Sequence, residues 1–92
     1  MSEPVSHEVE IVNKLGLHAR AAAKLVATAS RFGAEITIWR DDQDANAKSI
    51  MRVMMLAASR GTTLRLEALG EDAEQAVAAL VDLIADRFGE PE

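Results

Sequence analysis

Val5-Ser6-His7-Glu8-Val9-Glu10-Ile11-Val12, then Asn13-Lys14-Leu15-Gly16, then Leu17-His18-Ala19-Arg20-Ala21-Ala22-Ala23-Lys24 follow one another without a break, and this succession decides the fold. The first block alternates, with Val5, His7, Val9 and Ile11 toward one side and Ser6, Glu8 and Glu10 toward the other, as a half-buried strand does. The second is a Gly-containing turn. The third opens an Ala-rich helix predicted over residues 19–31. Its apolar stripe of Ala22, Leu25, Val26, Ala29 and Phe32 recurs at helical spacing, with Arg20, Lys24, Thr28 and Arg31 on the opposite face. Gly33, just beyond the stripe, is placed to terminate it.

Moving outward, residues 34–40 alternate again, with Ala34, Ile36 and Ile38 inward and Glu35, Thr37 and Trp39 outward. Asp41-Asp42-Gln43-Asp44 reads as a polar turn and residues 45–48 as a short strand. Ser49 is an N-cap candidate for a short helix over residues 50–57, with Val53, Leu56 and Ala57 inward. Residues 62–69 form another strand, with Leu64, Leu66 and Ala68 inward. The last helix is predicted over residues 72–88, with an inner stripe of Ala73, Ala76, Val77, Leu80, Ile84 and Phe88, and with Gly89 and Pro91 ending it. This order predicts an α+β two-layer sandwich, a sheet covered on one side by helices. With 92 residues, one domain over 1–92 is expected, its core at about 7–88.

Composition narrows the classes of function. The chain holds no cysteine, which excludes disulfides and thiolate metal sites. It shows no charged-then-apolar leader and no apolar run of bilayer length, so the cytoplasm is the expected compartment and a membrane-embedded chain is not. A net charge of −5 argues against nucleic acid as a partner. The charges are unevenly placed. Residues 11–34 hold no acid but include Lys14, Arg20, Lys24 and Arg31, whereas residues 71–92 hold seven acids against Arg87 alone. A basic side around His18 is therefore expected, suited to an anionic group or an acidic protein partner. Ordinary charge scatter is the alternative.

His18 stands where the first helix begins. A helix start presents unpaired N–H groups and the positive end of the dipole, a ready site for an anion. Neutral imidazole is a good nucleophile near neutral pH, and a phosphoryl group on its ring would be stabilised by those N–H groups and by the multi-donor Arg20. Gly16 lets the backbone approach closely and leaves room for a partner. The plainer alternative is a histidine that pairs with backbone at the cap. His7 is the only other histidine and no acid lies near His18 in sequence, so no metal site is expected. No Gly-rich nucleotide loop and no Ser/His/Asp set is present, so no cofactor is expected.

Ser49 has two compatible readings, an N-cap and a phosphorylation site at a favourable dipole end. Ile50, Met51 and Met54 fit a second stripe of their helix. It is either core or an exposed, adaptable patch for partners.

The segment Asn13-Lys14-Leu15-Gly16-Leu17-His18-Ala19-Arg20-Ala21-Ala22-Ala23-Lys24 resembles the active-site signature of the HPr family, the histidine phosphocarriers of the bacterial phosphotransferase system. Lys48-Ser49-Ile50-Met51-Arg52-Val53-Met54-Met55-Leu56 is similar to the family's second signature, around its regulatory serine. The resemblance implies an open-faced sandwich of order βαββαβα, four antiparallel strands with three helices on one face. It implies phosphorylation of His18 at Nδ1, assistance by Arg20, and modification of Ser49 by an HPr serine kinase/phosphorylase in some members. It implies enzyme I, charged by phosphoenolpyruvate, as donor and enzyme IIA-type proteins as acceptors. Ile50, Met51 and Met54 match the patch that docks them, and Lys24 is assigned with these residues to partner binding.

Two positions depart from the pattern. Ala21 stands where many members have proline, which removes no chemical group. Arg52 stands where many have a small residue or lysine, adding bulk and charge beside the docking patch. The Asn-Lys-Leu-Gly start and the Ala-Arg-Ala-Ala-Ala run look most like the nitrogen-related branch, NPr, over the sugar-transport branch. The leading expectation is thus a stoichiometric, monomeric phosphocarrier more than an independent enzyme. The competing one is a regulatory interaction module controlled at Ser49.

Overall fold

The computed structural model of the chain describes residues 3–92. The elements are β1 (Val5–Glu10), α1 (Ala19–Ala29), β2 (Glu35–Arg40), β3 (Gln43–Asn46), α2 (Ile50–Met55), β4 (Thr63–Leu69) and α3 (Ala73–Ala85), followed by a 3-10 turn at Arg87–Gly89. The expected order βαββαβα is observed. The four strands form one antiparallel sheet in the spatial order β1-β4-β2-β3.

Alternation explains the sheet. Val5, His7 and Val9 pair across from Ala68, Leu66 and Leu64, and Ile36 and Ile38 pair across from Ala68 and Leu66. Directly opposed residues share a face, so these side chains form one apolar surface. Ile36, Ile38, Leu64 and Leu66 are buried there beneath Ala73, Ala76, Val77, Leu80 and Ile84 of α3 and Ala21, Ala22, Leu25 and Ala29 of α1. His7 shares that face yet is exposed, because β1 is an edge strand. The other face carries Trp39 and Arg65, with the guanidinium 5.3 Å from the ring centroid.

Several boundaries differ from the sequence expectation. The first helix ends at Ala29, with Ser30 as C-cap, and Gly33 is not in the left-handed region. The short strand is shifted to Gln43–Asn46, because Arg40 pairs with Gln43 and leaves only Asp41 and Asp42 to turn the hairpin, Asp41 at φ 54°. The second helix stops at Met55, and Ala57, at φ 50°, is exposed while Ala58 takes the buried place. The last helix stops at Ala85, and Phe88 is buried from the 3-10 turn instead of from the helix.

Asp72, at the start of α3, does not cap its own helix. Its two carboxylate oxygens accept from the backbone N–H groups of Gly33 and Ala34, each at 2.8 Å. This clamps the approach to β2 against the entry to α3. Asp72→Ala would leave the N–H of buried Ala34 without a partner, and an unmade bond of that kind costs about 1–3 kcal/mol. Urea denaturation should show a loss of that size with the fold retained.

Candidate functional site

The turn between β1 and α1 is built around Asn13, the buried polar residue of the core. The Gly16 N–H donates to the Asn13 carbonyl at 3.2 Å, and the Asn13 Nδ2 donates back to the Gly16 carbonyl at 2.8 Å. Gly16 adopts φ +69°, and a Cβ placed on it would lie 2.7 Å from the Ala58 carbonyl oxygen and 2.9 Å from the Ser59 Cα. That close approach allows the Leu17 N–H to donate to the Ala58 carbonyl at 2.8 Å. The His18 turn is thereby tied to the segment that leaves α2, and the two sequence signatures become neighbours.

His18 is the N-cap residue of α1, in extended backbone conformation, and its side chain does not cap the helix. The first backbone bond at this end is Ala22 N–H to the His18 carbonyl, at 2.8 Å. The imidazole is directed elsewhere. Its Nε2 lies 2.5 Å from Oε2 of Glu90, and the His18 side chain keeps 28% exposure. The other carboxylate oxygen, Oε1, accepts from Asn13 Nδ2 at 3.0 Å. The hydrogen bonds from His18 and then Asn13 hold the Glu90 carboxyl below its ordinary value. The charges of His18 and Lys24 act in the same direction, and desolvation opposes them.

A cleft of about 560 Å³ opens here, lined by Lys14, Leu15, His18 and Arg20 on one side and by Glu90, Pro91 and Glu92 on the other. The Lys14 N–H donates to the Glu92 carbonyl at 2.9 Å, and its ammonium lies 3.7 Å from the Glu92 carboxylate. The basic side expected around His18 is therefore met by an acidic tail. Glu90 and Asn13 escaped the sequence reading. Glu90 is 72 residues from His18, and nothing in its local sequence separates it from the other tail acids.

Arg20 is exposed in the first turn of α1 and shares the cleft with His18. Lys24, assigned to partner binding, has its ammonium engaged with the Phe88 carbonyl at 2.6 Å. Ser49 is the N-cap of α2, its hydroxyl accepting from the Arg52 N–H at 3.4 Å. Arg52 lines a groove with Asp44, Asn46 and Ser49. Ile50, Met51 and Met54 are exposed, Met51 at 73%, and Met55 joins them. Leu15, 68% exposed, lines the cleft with His18.

Among the described residues no cluster of three or more His, Cys, Asp or Glu side chains could hold a metal ion. No helix among them is long and apolar enough to cross a membrane.

The family model described as "PTS HPr component phosphorylation site" matches residues 5–86. The phosphocarrier protein HPr of Neisseria meningitidis serogroup A is 50% identical over 88 residues, covering 96% of this chain and 99% of that protein. The phosphocarrier protein NPr of Shewanella violacea is 44% identical over 86 residues, covering 94% of each chain. Among solved structures, HPr-C-His from Thermoanaerobacter tengcongensis superposes with a TM-score of 0.92 at 49% identity, covering 96% of this chain and 99% of that one.

Gly16→Ala combines a left-handed residue with a backbone clash, and should cost about 2 kcal/mol of stability in urea denaturation. The Glu90 contact has a defined pH sign. Because the folded-state carboxyl titrates below its ordinary 4.5, the contact stabilises fully above that value and is lost as pH falls through the lowered one. The stability difference between wild type and Glu90→Gln should therefore be present near neutral pH and fade on acidification. A difference that persists unchanged in acid would contradict this.

Proposed function

This chain belongs to the HPr family, the histidine phosphocarriers of the phosphotransferase system, and we propose that His18 is the residue that carries the phosphoryl group, at Nδ1. The observation that supports this reading is the position of His18. It stands at the N-terminus of an eleven-residue helix, beside a cleft that also holds Lys14 and Arg20, and one ring nitrogen is already engaged by a carboxylate. The helix dipole and the free amides of the first turn favour an added dianion. Arg20 supplies planar, charge-assisted donors to the phosphoryl oxygens as they develop charge in transfer.

Proteins of this family interact with the enzymes of the phosphotransferase system. In our reading the donor is enzyme I charged by phosphoenolpyruvate, and the acceptors are enzyme IIA-type proteins. They would dock on the apolar surface of Ile50, Met51 and Met54, on the helix that packs against α1, whose N-cap is His18. Methionines suit a surface that must accept more than one partner. The reading carries a cytoplasmic, monomeric protein with it.

A second reading has its own observation. Ser49 is half-buried at the N-cap of α2, next to the exposed Arg52. A phosphate there would place charge at the edge of the docking surface without unfolding the helix, and would make the chain a regulatory module as well as a carrier. The NPr relative supports the nitrogen-related branch. Transfer from the phosphorylated chain to a sugar-type and to a nitrogen-type enzyme IIA, measured side by side, assigns the branch.

Incubation with enzyme I and phosphoenolpyruvate, followed by intact-mass measurement, tests the central claim. One acid-labile phosphoryl group is expected on wild type and none on His18→Ala, with the fold of the variant unchanged. Arg20→Ala should still be labelled, but roughly a hundredfold more slowly. Label retained by His18→Ala would overturn the assignment.

A further inference from the structure

The segment after α3 takes an unusual path. Arg87 and Phe88, neither a glycine, adopt φ 58° and 55°, and Gly89 follows at φ 78°. Consecutive left-handed residues with side chains are strained and persist only where surrounding contacts hold them. Here the Phe88 ring is buried, the Phe88 carbonyl accepts from Lys24, and the Lys14 N–H holds the Glu92 carbonyl. The turn reverses the chain and delivers one side chain, Glu90, onto the imidazole of His18. Its orientation is set from behind. Asn13 Nδ2 donates to the Gly16 carbonyl and to Glu90 Oε1, so the amide that anchors the carboxylate is the same one that closes the His18 turn.

We propose that Glu90 is a positioning residue for phosphoryl transfer: through the Asn13–Glu90–His18 relay it fixes the ring tautomer and rotation that make Nδ1 the nucleophile. An ionised carboxylate can only accept hydrogen bonds, so the Nε2 facing it must carry the proton. A neutral imidazole has one donor and one acceptor nitrogen, and the lone pair is then on Nδ1.

Transfer is balanced without moving a proton. The Nδ1 lone pair forms the N–P bond. The bond from phosphorus to the leaving atom of the phosphorylated donor breaks, and its electron pair departs with the donor. The Nε2 proton stays in place. The ring becomes positively charged against Glu90, as the imidazolium of a hydrolase is held against its buried aspartate. The second transfer reverses these steps. Sequence spacing could not assign the ring nitrogen, and this contact does.

The proposal rests on the reading of His18 as the acceptor, and the experiment separates the two. The full-length chain, labelled with 15N histidine, is compared as wild type, Glu90→Ala and Glu90→Gln by NMR at neutral to mildly alkaline pH, with exposed His7 as internal reference. Wild type should show His18 as a single Nε2–H tautomer whose proton exchanges slowly. Glu90→Ala should lose that protected proton, and its rate of phosphoryl acceptance from phosphorylated enzyme I should fall roughly tenfold to a hundredfold, in kcat more than in KM. Glu90→Gln keeps an acceptor oxygen and should restore the proton signal and part of the rate.

A His18 Nε2–H that exchanges as fast as that of His7 in wild type would overturn the proposal. So would Glu90→Ala accepting phosphoryl groups at the wild-type rate, while leaving His18 as the acceptor. No label on wild type would refute the His18 reading itself and the proposal with it.

Discussion

The pairing of β4 with both β1 and β2 is the constraint on which the other elements depend. The last strand in sequence enters the sheet between two earlier ones, with Leu66 opposed by His7 on one side and Ile38 on the other. A strand so placed must be apolar on its inner face, and Leu64, Leu66 and Ala68 satisfy this. Because β1 and β2 are not neighbours, the connection through α1 spans the gap that β4 fills, and α1 and α3 come to lie side by side over the same apolar surface. The start of α1 and the end of α3 are thereby brought to one place, where His18 and Glu90 meet.

Long basic side chains close the structure around that sheet. Lys48 donates to the Phe32 carbonyl beyond α1, Arg40 to the Leu56 carbonyl at the end of α2, and Lys24 to the Phe88 carbonyl beyond α3. Each puts a cation near carbonyls at or beyond the C-terminal end of a helix, where the dipole also favours it. Lys24 looks like a free surface cation in sequence, but holds the turn that carries Glu90. Asp72 acts in the opposite sense, giving its carboxylate to the amides of Gly33 and Ala34.

Short-range patterns were legible. The alternation of β2 and β4, the apolar stripe of α3 and the cap at Ser49 are properties of residues within a few positions of one another, whereas the stripe of Ile50, Met51 and Met54 reads equally as core or surface until packing leaves it exposed. Two of the misjudged helix ends share a cause. The chain leaves the helical region at Ala57 and at Arg87–Phe88 through left-handed residues that carry side chains, and no Gly at those positions announces it. Gln43 and Asp44 look like turn residues because they are polar, yet a two-residue hairpin recruits them into β3. The charge asymmetry misled in a similar way, because acids far along the chain fold back onto the basic turn.

Local periodicity and turn chemistry are enough to set the order of the elements, which face of each is apolar, and the place of a histidine and an arginine at a helix start. What faces the histidine is a product of the assembled fold. The Asn13–Glu90–His18 contact joins a turn near one end of the chain to a reversed tail near the other. Its geometry depends on strand order, on a Gly16 that lets backbone meet Ala58, and on a strained turn at Arg87–Gly89. A carboxylate's effect on an imidazole is set by angstroms of separation in the fold, and sequence distance carries no information about it.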